Sequence, residues 1–112
     1  MITACSISDL PAGEAIRLDT DPPIAIFHTE EGELFALDDT CSHQDASLSD
    51  GWVEDGQVEC PLHSSCFDLH TGFPDCGPAR KPVRTHEVWV QEGTVFVLES
   101  EAEPNLPPVG RR

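Results

Sequence analysis

The chain has 112 residues, and only 38% of them are hydrophobic. The length indicates one small domain, and a domain of this size and composition is stabilised by a bound metal or a disulfide. Its 21 Asp and Glu against 6 Lys and Arg give a net charge of -15, which opposes binding to nucleic acid or to an anionic membrane. With no apolar run of 18 residues and no signal-peptide pattern at the N-terminus, we expect a cytoplasmic protein without a membrane anchor. Five cysteines in such a chain favour metal ligation over disulfides.

The apolar pattern along the chain is short and mostly period-two, which predicts β-strands. Three pairs of such runs flank turn signals at Gly32, Asp55-Gly56 and Glu92-Gly93. Asp-Gly is a strong signal for a two-residue hairpin. The predicted hairpins pair residues 24–28 with 33–37, 51–54 with 57–60, and 86–90 with 94–98.

These elements predict one small antiparallel all-β domain over residues 1–100, either a sandwich or a partly open barrel. Residues 38–80 break the strand rhythm and are rich in Cys, His, Asp, Ser, Gly and Pro. A long irregular segment in a compact domain is usually functional. Residues 101–112 contain three prolines and predict a loosely docked or mobile tail.

Within that irregular part, two short motifs combine a thiolate with an imidazole. Cys41-Ser42-His43 and Cys60-Pro61-Leu62-His63 are separated by 16 residues that contain the Asp55-Gly56 turn. Two Cys and two His in one place indicate a metal site. A zinc finger places both cysteines on one arm and both histidines on the other. Mixed arms suit a two-iron cluster better, with one iron bound by the cysteines and the other by the histidines.

With these motifs, residues 2–99 resemble the Rieske [2Fe–2S] proteins, and most closely the small ferredoxins of bacterial aromatic ring-hydroxylating dioxygenases. Gly77-Pro78-Ala79 resembles the proline loop that covers the cluster in that family. The resemblance implies a cluster-binding subdomain formed by two loops and one [2Fe–2S] cluster per chain. In it, Cys41 and Cys60 hold the inner iron, and His43 and His63 hold the outer iron.

Two features differ from the respiratory-complex branch of that family. Ala46 and Leu62 stand where that branch has a pair of cysteines, so the disulfide between its cluster loops has no counterpart here. Ser65 matches a serine whose hydroxyl bonds the cluster there, whereas Phe67 replaces a tyrosine. Whether Ser65 bonds the cluster is left open.

By the same resemblance, the protein is a soluble one-electron carrier and is not itself an enzyme. It takes electrons from an NAD(P)H-dependent flavoprotein ferredoxin reductase and delivers them to the terminal Rieske oxygenase of a dioxygenase system. Two alternatives remain, a zinc-stabilised interaction module and a detached Rieske domain of an oxygenase α subunit. A Rieske protein is coloured and a zinc protein is colourless, which separates the first alternative.

The other chemically notable side chains have ordinary interpretations. We expect the remaining cysteines to be free thiols or small core residues, the remaining histidines to be surface or hydrogen-bonded residues, and both tryptophans to be core anchors. These residues are Cys5, Cys66 and Cys76; His28, His70 and His86; and Trp52 and Trp89.

The charge is unevenly distributed. Between Arg17 and Arg80 there are 14 Asp or Glu and no Lys or Arg, and the two cluster motifs lie in this stretch. The acidic side chains can form a solvated face, steer a basic partner toward the cluster, or do both.

Overall fold

Ten antiparallel strands make up the regular structure, with short 3-10 turns at Ile7–Asp9 and Leu48–Asp50. The structure is a computed structural model that describes residues 1–42, 45–61 and 65–107. The strands are β1 Ile2–Ser6, β2 Ala15–Leu18, β3 Ile24–His28, β4 Leu34–Asp38, β5 Trp52–Glu54, β6 Gln57–Glu59, β7 Cys66–Asp68, β8 Pro74–Cys76, β9 Thr85–Gln91 and β10 Thr94–Leu98.

Six strands form the larger sheet, in the order β1-β10-β9-β4-β3-β2. Val95 and Val97 of β10 pack in one buried cluster with Ile24 and Ile26 of β3, although β9 and β4 lie between these strands in the sheet. Side chains this far apart in a sheet meet only if the sheet curves around them. The larger sheet therefore wraps a core of its own, as in a partly open barrel.

The smaller sheet, β5-β6-β7-β8, packs against the outer face of β3 and β4. Ala25 and Phe27 share a second buried cluster with Val58 of β6 and Phe67 of β7. Strand β3 thus has cores on both faces, which is why residues 24–27 are all apolar and all buried. The predicted all-β class is confirmed, with the second sheet built from the region around the two motifs.

All three predicted hairpins are present, with strand ends within one residue or so of those expected. Asp55 and Gly56 have φ of 54° and 76°, and Glu92 and Gly93 have 50° and 80°, the backbone conformation of a tight two-residue turn. The pattern missed β1, β2, β7 and β8. Strands β7 and β8 have three residues each and too few side chains to show a period.

Beyond β10, the chain contacts the segment just before β9. Arg84 donates to the carbonyl oxygens of Ser100 and Ala102, and the Asn105 side chain donates to the Pro82 carbonyl. Residues 108–112 lie outside the described residues. No helix in the described part of the chain is long and apolar enough to cross a membrane.

Candidate metal centre

Two loops of identical size carry the predicted ligands. The Cys41 N–H donates to the Ala46 carbonyl at 2.9 Å, and the Cys60 N–H donates to the Ser65 carbonyl at 2.7 Å. Each cysteine thus opens a six-residue loop that a backbone hydrogen bond closes five residues later. We call residues 41–46 the first loop and residues 60–65 the second loop.

The pairing around the two loops also matches. Thr40 bridges to Ser47 at the base of the first loop, and Glu59 pairs with Cys66 at the base of the second. In both cases the residue before the cysteine pairs with the residue that lies six positions after the cysteine. Two hairpin ends of the same build therefore present their cysteines in the same way.

Both cysteine side chains are removed from solvent and lie in one buried cluster. Cys41 is 0% exposed and Cys60 is 1% exposed, and Leu48, Val58 and Phe67 belong to the same cluster. A thiolate is a good ligand for iron and a poor group to bury without a partner. The two side chains suit a shared iron–sulfur cofactor, which would neutralise them inside an apolar wall.

The two predicted imidazole ligands, His43 and His63, lie outside the described residues, as does Leu62. Among the described residues, no three of His, Cys, Asp and Glu are arranged to hold a metal ion. The part of the candidate centre that the structure describes consists of Cys41, Cys60 and the residues that close the two loops, Ala46 and Ser65.

A third segment, residues 76–81, is fastened to both loops. The Ala79 N–H donates to the Ser65 hydroxyl oxygen at 3.0 Å, and this contact is buried. The Ser42 hydroxyl donates to the Lys81 carbonyl at 2.5 Å. This 76–81 segment contains the predicted proline loop, Gly77-Pro78-Ala79, and it joins the first loop to the second.

The hydroxyl of Ser65 has a donor to spare. Its oxygen accepts the Ala79 N–H, and Ser65 is 0% exposed. A hydroxyl supplies one proton in addition to its lone pairs. No described residue accepts that proton, so it is available to a group held between the loops.

The prediction for Cys66 and Cys76 was wrong, because these residues form a disulfide. They face each other in the β7–β8 ladder with Cα atoms 5.0 Å apart, within the range that disulfides need. Sequence reasoning missed this pair because the pairing of two three-residue strands is not visible in the sequence.

A buried charged network forms around Asp38, at the end of β4 and three residues before Cys41. Arg84 uses all five of its N–H groups: two contact the Asp38 carboxylate at 2.9 and 3.1 Å, and three contact Glu99, Ser100 and Ala102. The His86 Nδ1 accepts the Ser100 N–H, so Nε2 carries the ring proton and donates to Asp38 at 2.9 Å. The network joins β4, β9 and the segment after β10.

The charge state of Asp38 follows from these contacts. Burial acts to raise its pKa, but the hydrogen bonds from His86 and Arg84 outweigh burial and leave the pKa of Asp38 below its ordinary value. Asp38 is therefore an ionised carboxylate three residues before Cys41. Nothing local in the sequence indicated this network, because it joins residues 46 positions apart.

The neighbouring Asp39 fixes the other end of the first loop. Its carboxylate accepts the Ser47 hydroxyl at 2.5 Å and the Ser49 N–H at 2.9 Å. Asp38 and Asp39 are each 1% exposed, so these two acidic residues hold structure and take no part in surface steering.

The other predictions for single residues have mixed outcomes. Cys5 is a half-buried free thiol, as expected. Burial, and to a lesser degree Asp9, raises the pKa of this thiol. His28 donates to the Leu10 carbonyl at 2.7 Å, and His70 is exposed, so with His86 all three histidines are surface or hydrogen-bonded residues.

The tryptophan prediction was wrong for Trp52. This side chain is 62% exposed on β5, an edge strand whose three residues all face solvent. Trp89 is half-buried and stacks on Phe96, with ring centroids 6.0 Å apart. Neither tryptophan belongs to the two buried clusters of the described chain.

Comparisons with known proteins agree with this geometry. Residues 1–87 match the Rieske [2Fe-2S] domain family. The 3-phenylpropionate/cinnamic acid dioxygenase ferredoxin subunit of Escherichia coli (strain K12) is 48% identical over 104 residues, which cover 92% of this chain and 97% of that subunit.

Solved structures share the fold. A chain of the complex of reduced oxygenase and oxidized ferredoxin in carbazole 1,9a-dioxygenase superposes with a TM-score of 0.80 at 34% identity, covering 87% of this chain and all of that one. The ferredoxin of carbazole 1,9a-dioxygenase from Nocardioides aromaticivorans IC177 gives a TM-score of 0.81 at 27% identity, covering 88% of this chain and 97% of that one. With two matched cysteine loops on a β-fold of this kind, the chain belongs to the Rieske [2Fe–2S] family, in its branch of small ferredoxins.

Proposed function

We propose that this protein is a one-electron carrier of an aromatic ring-hydroxylating dioxygenase system. It binds one [2Fe–2S] cluster through Cys41, Cys60, His43 and His63. It takes electrons from an NAD(P)H-dependent flavoprotein reductase and delivers them to the terminal oxygenase. We place it in the cytoplasm, where its reductase and nicotinamide donor would be.

The observation that carries the proposal is the pair of matched loops. Each loop begins with a buried cysteine, is closed by the same backbone hydrogen bond and contains one histidine of the motif. Each loop combines one Cys with one His, whereas a zinc finger normally places both cysteines on one arm and both histidines on the other. This mixed arrangement favours a two-iron cluster over a single zinc ion.

When bound, a [2Fe–2S] cluster supplies one-electron transfer, and the protein supplies its surroundings. The apolar wall around Cys41 and Cys60 keeps water from the thiolates. The Ser42 and Ser65 contacts with the 76–81 segment hold both loops in place. A rigid site keeps the reorganisation energy of electron transfer small.

The partners follow from the relatives. The E. coli protein is named as a dioxygenase ferredoxin subunit, and a carbazole dioxygenase ferredoxin has been seen in complex with its oxygenase. A chain of the same fold and of similar length is suited to dock at an equivalent oxygenase.

The test is reconstitution. Purified protein is expected to be red-brown, to contain two irons and two acid-labile sulfides per chain, and to carry one electron per cluster in a reductive titration. Mixed with a dioxygenase reductase, a terminal oxygenase and NADH, it should support hydroxylation of an aromatic substrate, and omitting it should stop turnover.

Each alternative gives a different result. A zinc module would be colourless and would contain one zinc per chain with no labile sulfide. A detached oxygenase domain would hold a cluster but would not accept electrons from the reductase in a stopped-flow experiment. Either outcome would contradict the proposed function.

A further inference from the structure

We propose that Cys66 and Cys76 form a thiol–disulfide exchange site, whose reaction with a dithiol reductant releases the 76–81 segment from the cluster loops. The loosening of the segment follows from the described residues alone. Its effect on the cluster rests on the proposed ligands, and the two parts are tested separately below.

The pair lies where a reductant can reach it. Strand β8 is the edge of the smaller sheet, and Cys76 is exposed while Cys66 is half-buried. Exposed disulfides are the ones that exchange, because the attacking thiolate must approach along the S–S axis. Cys76 is thus the more accessible residue of the disulfide, and we assign it as the residue attacked.

Strand β8 is short and irregularly paired with β7. It has three residues and begins with Pro74, which has no N–H to donate to the ladder. Its register with β7 shifts between Cys66 and Phe67, so the pairing is irregular. Before the strand, the Asp68 N–H donates to the Phe73 carbonyl at 2.9 Å, and the Gln57 side chain donates to the Asp75 carboxylate. The disulfide is therefore the covalent attachment of a short and irregularly paired strand to β7.

Each cysteine of the disulfide is next in sequence to a part of the candidate metal centre. Cys66 directly follows Ser65, whose carbonyl closes the second loop and whose hydroxyl accepts the Ala79 N–H. Cys76 directly precedes Gly77-Pro78-Ala79. A small ring is thus formed by Ser65, Cys66 and residues 76–79. The disulfide closes this ring on one side, and the buried Ser65–Ala79 hydrogen bond closes it on the other.

The exchange is a two-electron reaction with a balanced course. A thiolate of the dithiol attacks the Cys76 sulfur, the S–S bond breaks, and Cys66 leaves as a thiolate and takes up a proton. The second thiol of the reductant then attacks the mixed disulfide, which frees Cys76 as a thiol. The protein gains two electrons and two protons, the reductant becomes a disulfide, and an oxidised dithiol of the same kind reverses the reaction.

The expected consequence is a looser 76–81 segment. Without the covalent link, β8 and the proline loop are held by non-covalent contacts alone, among them the Ser65–Ala79 and Ser42–Lys81 hydrogen bonds. Closing a short loop with a disulfide commonly changes local opening by more than a factor of ten. Water then reaches the second loop more often, and a bound cluster should be lost or oxidised faster.

The experiment uses the whole purified protein under anaerobic conditions, with dithiothreitol as the dithiol. Alkylation and mass spectrometry count the reactive thiols before and after reduction, and amide hydrogen exchange follows the peptide around Ala79. Reduction is expected to add two alkylated cysteines, Cys66 and Cys76. The Ala79 amide is expected to exchange roughly ten times faster or more, and reoxidation should restore the slow rate.

The Cys66→Ser/Cys76→Ser variant is the control for direct effects of dithiothreitol. It should exchange at the fast rate whether or not reductant is present, and the wild-type titration gives the result even if this variant folds poorly. The proposal is overturned if Cys66 and Cys76 are alkylated in protein kept under oxidising conditions, or if reduction leaves the Ala79 rate unchanged. Failure of the ligand assignment would be seen as missing iron, with the thiol and exchange results unaffected.

Discussion

The serine hydroxyls of the two loops differ in whether their proton is already used in a hydrogen bond. Ser42 donates its proton to the Lys81 carbonyl, so its hydroxyl is already used, whereas Ser65 accepts from Ala79 and keeps its proton. Cys41 and Cys60 are buried at the starts of the loops, and Cys5 lies in β1 beside the other core. Three predictions belong to these individual side chains.

The first prediction concerns the ligands. Alanine at Cys41, Cys60, His43 or His63 should remove the cluster or alter it grossly, because each iron would lose one of two protein ligands. Cys5→Ser is the matched control and should keep two irons per chain, since Cys5 lies outside the loops. Iron and sulfide analysis decides the matter, and full iron in the Cys41→Ala variant would contradict the assignment.

The second prediction concerns the reduction potential. Two thiolates and two neutral imidazoles make an oxidised Rieske site neutral and a reduced one -1, which places such clusters above four-cysteine clusters. Phe67 offers no hydroxyl to the cluster, and the chain is strongly acidic. We expect a potential of roughly -150 mV, at the low end of the Rieske range. Protein-film voltammetry should show a rise for Phe67→Tyr, and a wild-type value well above zero would contradict the low-potential assignment.

The third prediction tests the spare proton of Ser65. If it bonds the cluster or a cysteine sulfur, Ser65→Ala should lower the potential by about 60 mV, the equivalent of a tenfold change for one electron. Ser42→Ala removes a buried hydroxyl from the first loop without removing such a donor, and its potential should stay near the wild-type value. Equal shifts in both variants would mean that loop distortion, and not a hydrogen bond to sulfur, controls the potential.

Among the secondary-structure elements, β4 and β9 are joined by the most polar contact of the core. Asp38 ends β4, His86 lies at the start of β9, and Arg84 directly precedes β9. The Arg84 side chain is only 8% exposed, so its charge is stabilised mainly by the protein and not by water. The same guanidinium also donates to the chain after β10. One side chain therefore links the end of β4, the residues just before β9 and the segment after β10.

Breaking this network should be costly and dependent on pH. Arg84→Met leaves the Asp38 carboxylate buried without its ion-pair partner, and the free energy of unfolding should fall by about 3–5 kcal/mol. Arg17→Met is the matched control, because Arg17 is exposed and its contact with Asp19 is long, at 3.6 Å. Its effect should stay within about 0.5 kcal/mol. Denaturant unfolding of the two variants measures both values.

The ionisation of Asp38 determines how the stability of the protein changes at acid pH. The folded pKa of Asp38 is lowered, so its ion pair and hydrogen bonds stabilise the protein fully above the unfolded pKa, about 3.9. That stability is lost as the pH falls through the lower, folded pKa. The charged and titratable groups facing Asp38 are Arg84, just before β9, and His86 of β9, with Glu99 on the far side of Arg84. The stability difference between wild type and Asp38→Asn should therefore shrink only below about pH 4, and a difference independent of pH would refute this origin.

At the scale of the whole molecule, not all of the acidic side chains near the candidate centre face solvent, and two basic side chains lie among them. Asp38 and Asp39 are buried and serve the fold. The exposed Arg80 and Lys81 lie in the 76–81 segment, and the Lys81 backbone contacts the first loop. The rim of the candidate centre therefore carries exposed acids, such as Asp45, and a small basic patch together.

Docking should still depend on the acidic side chains. Electron transfer to the oxygenase is expected to slow as salt rises, since screening acts beyond about 8 Å at physiological ionic strength. Asp45→Asn and Asp50→Asn should lower the association rate at low salt, because charges at the rim act mainly on that rate. Glu92→Gln is the control and should have little effect, because Glu92 lies in the β9–β10 turn, at the opposite end of β9 from Arg84 and the 76–81 segment. A rate independent of salt in stopped-flow experiments would show that apolar contacts carry the docking.

The sequence by itself determined the fold class, the three hairpins and the two motifs that begin with Cys41 and Cys60. It could do so because hairpin turns and ligand spacing are local, and a local pattern keeps its meaning wherever the segment lies. The family resemblance to Rieske ferredoxins also rested on such short motifs and was confirmed.

Tertiary structure alone decided which distant residues meet. The Cys66–Cys76 disulfide depends on the register of two three-residue strands, and the Asp38–Arg84 ion pair joins residues 46 positions apart. The exposure of Trp52 depends on β5 lying at a sheet edge. None of these leaves a periodic trace in the sequence, because each is set by how the sheets pack and not by the preferences of the segment itself.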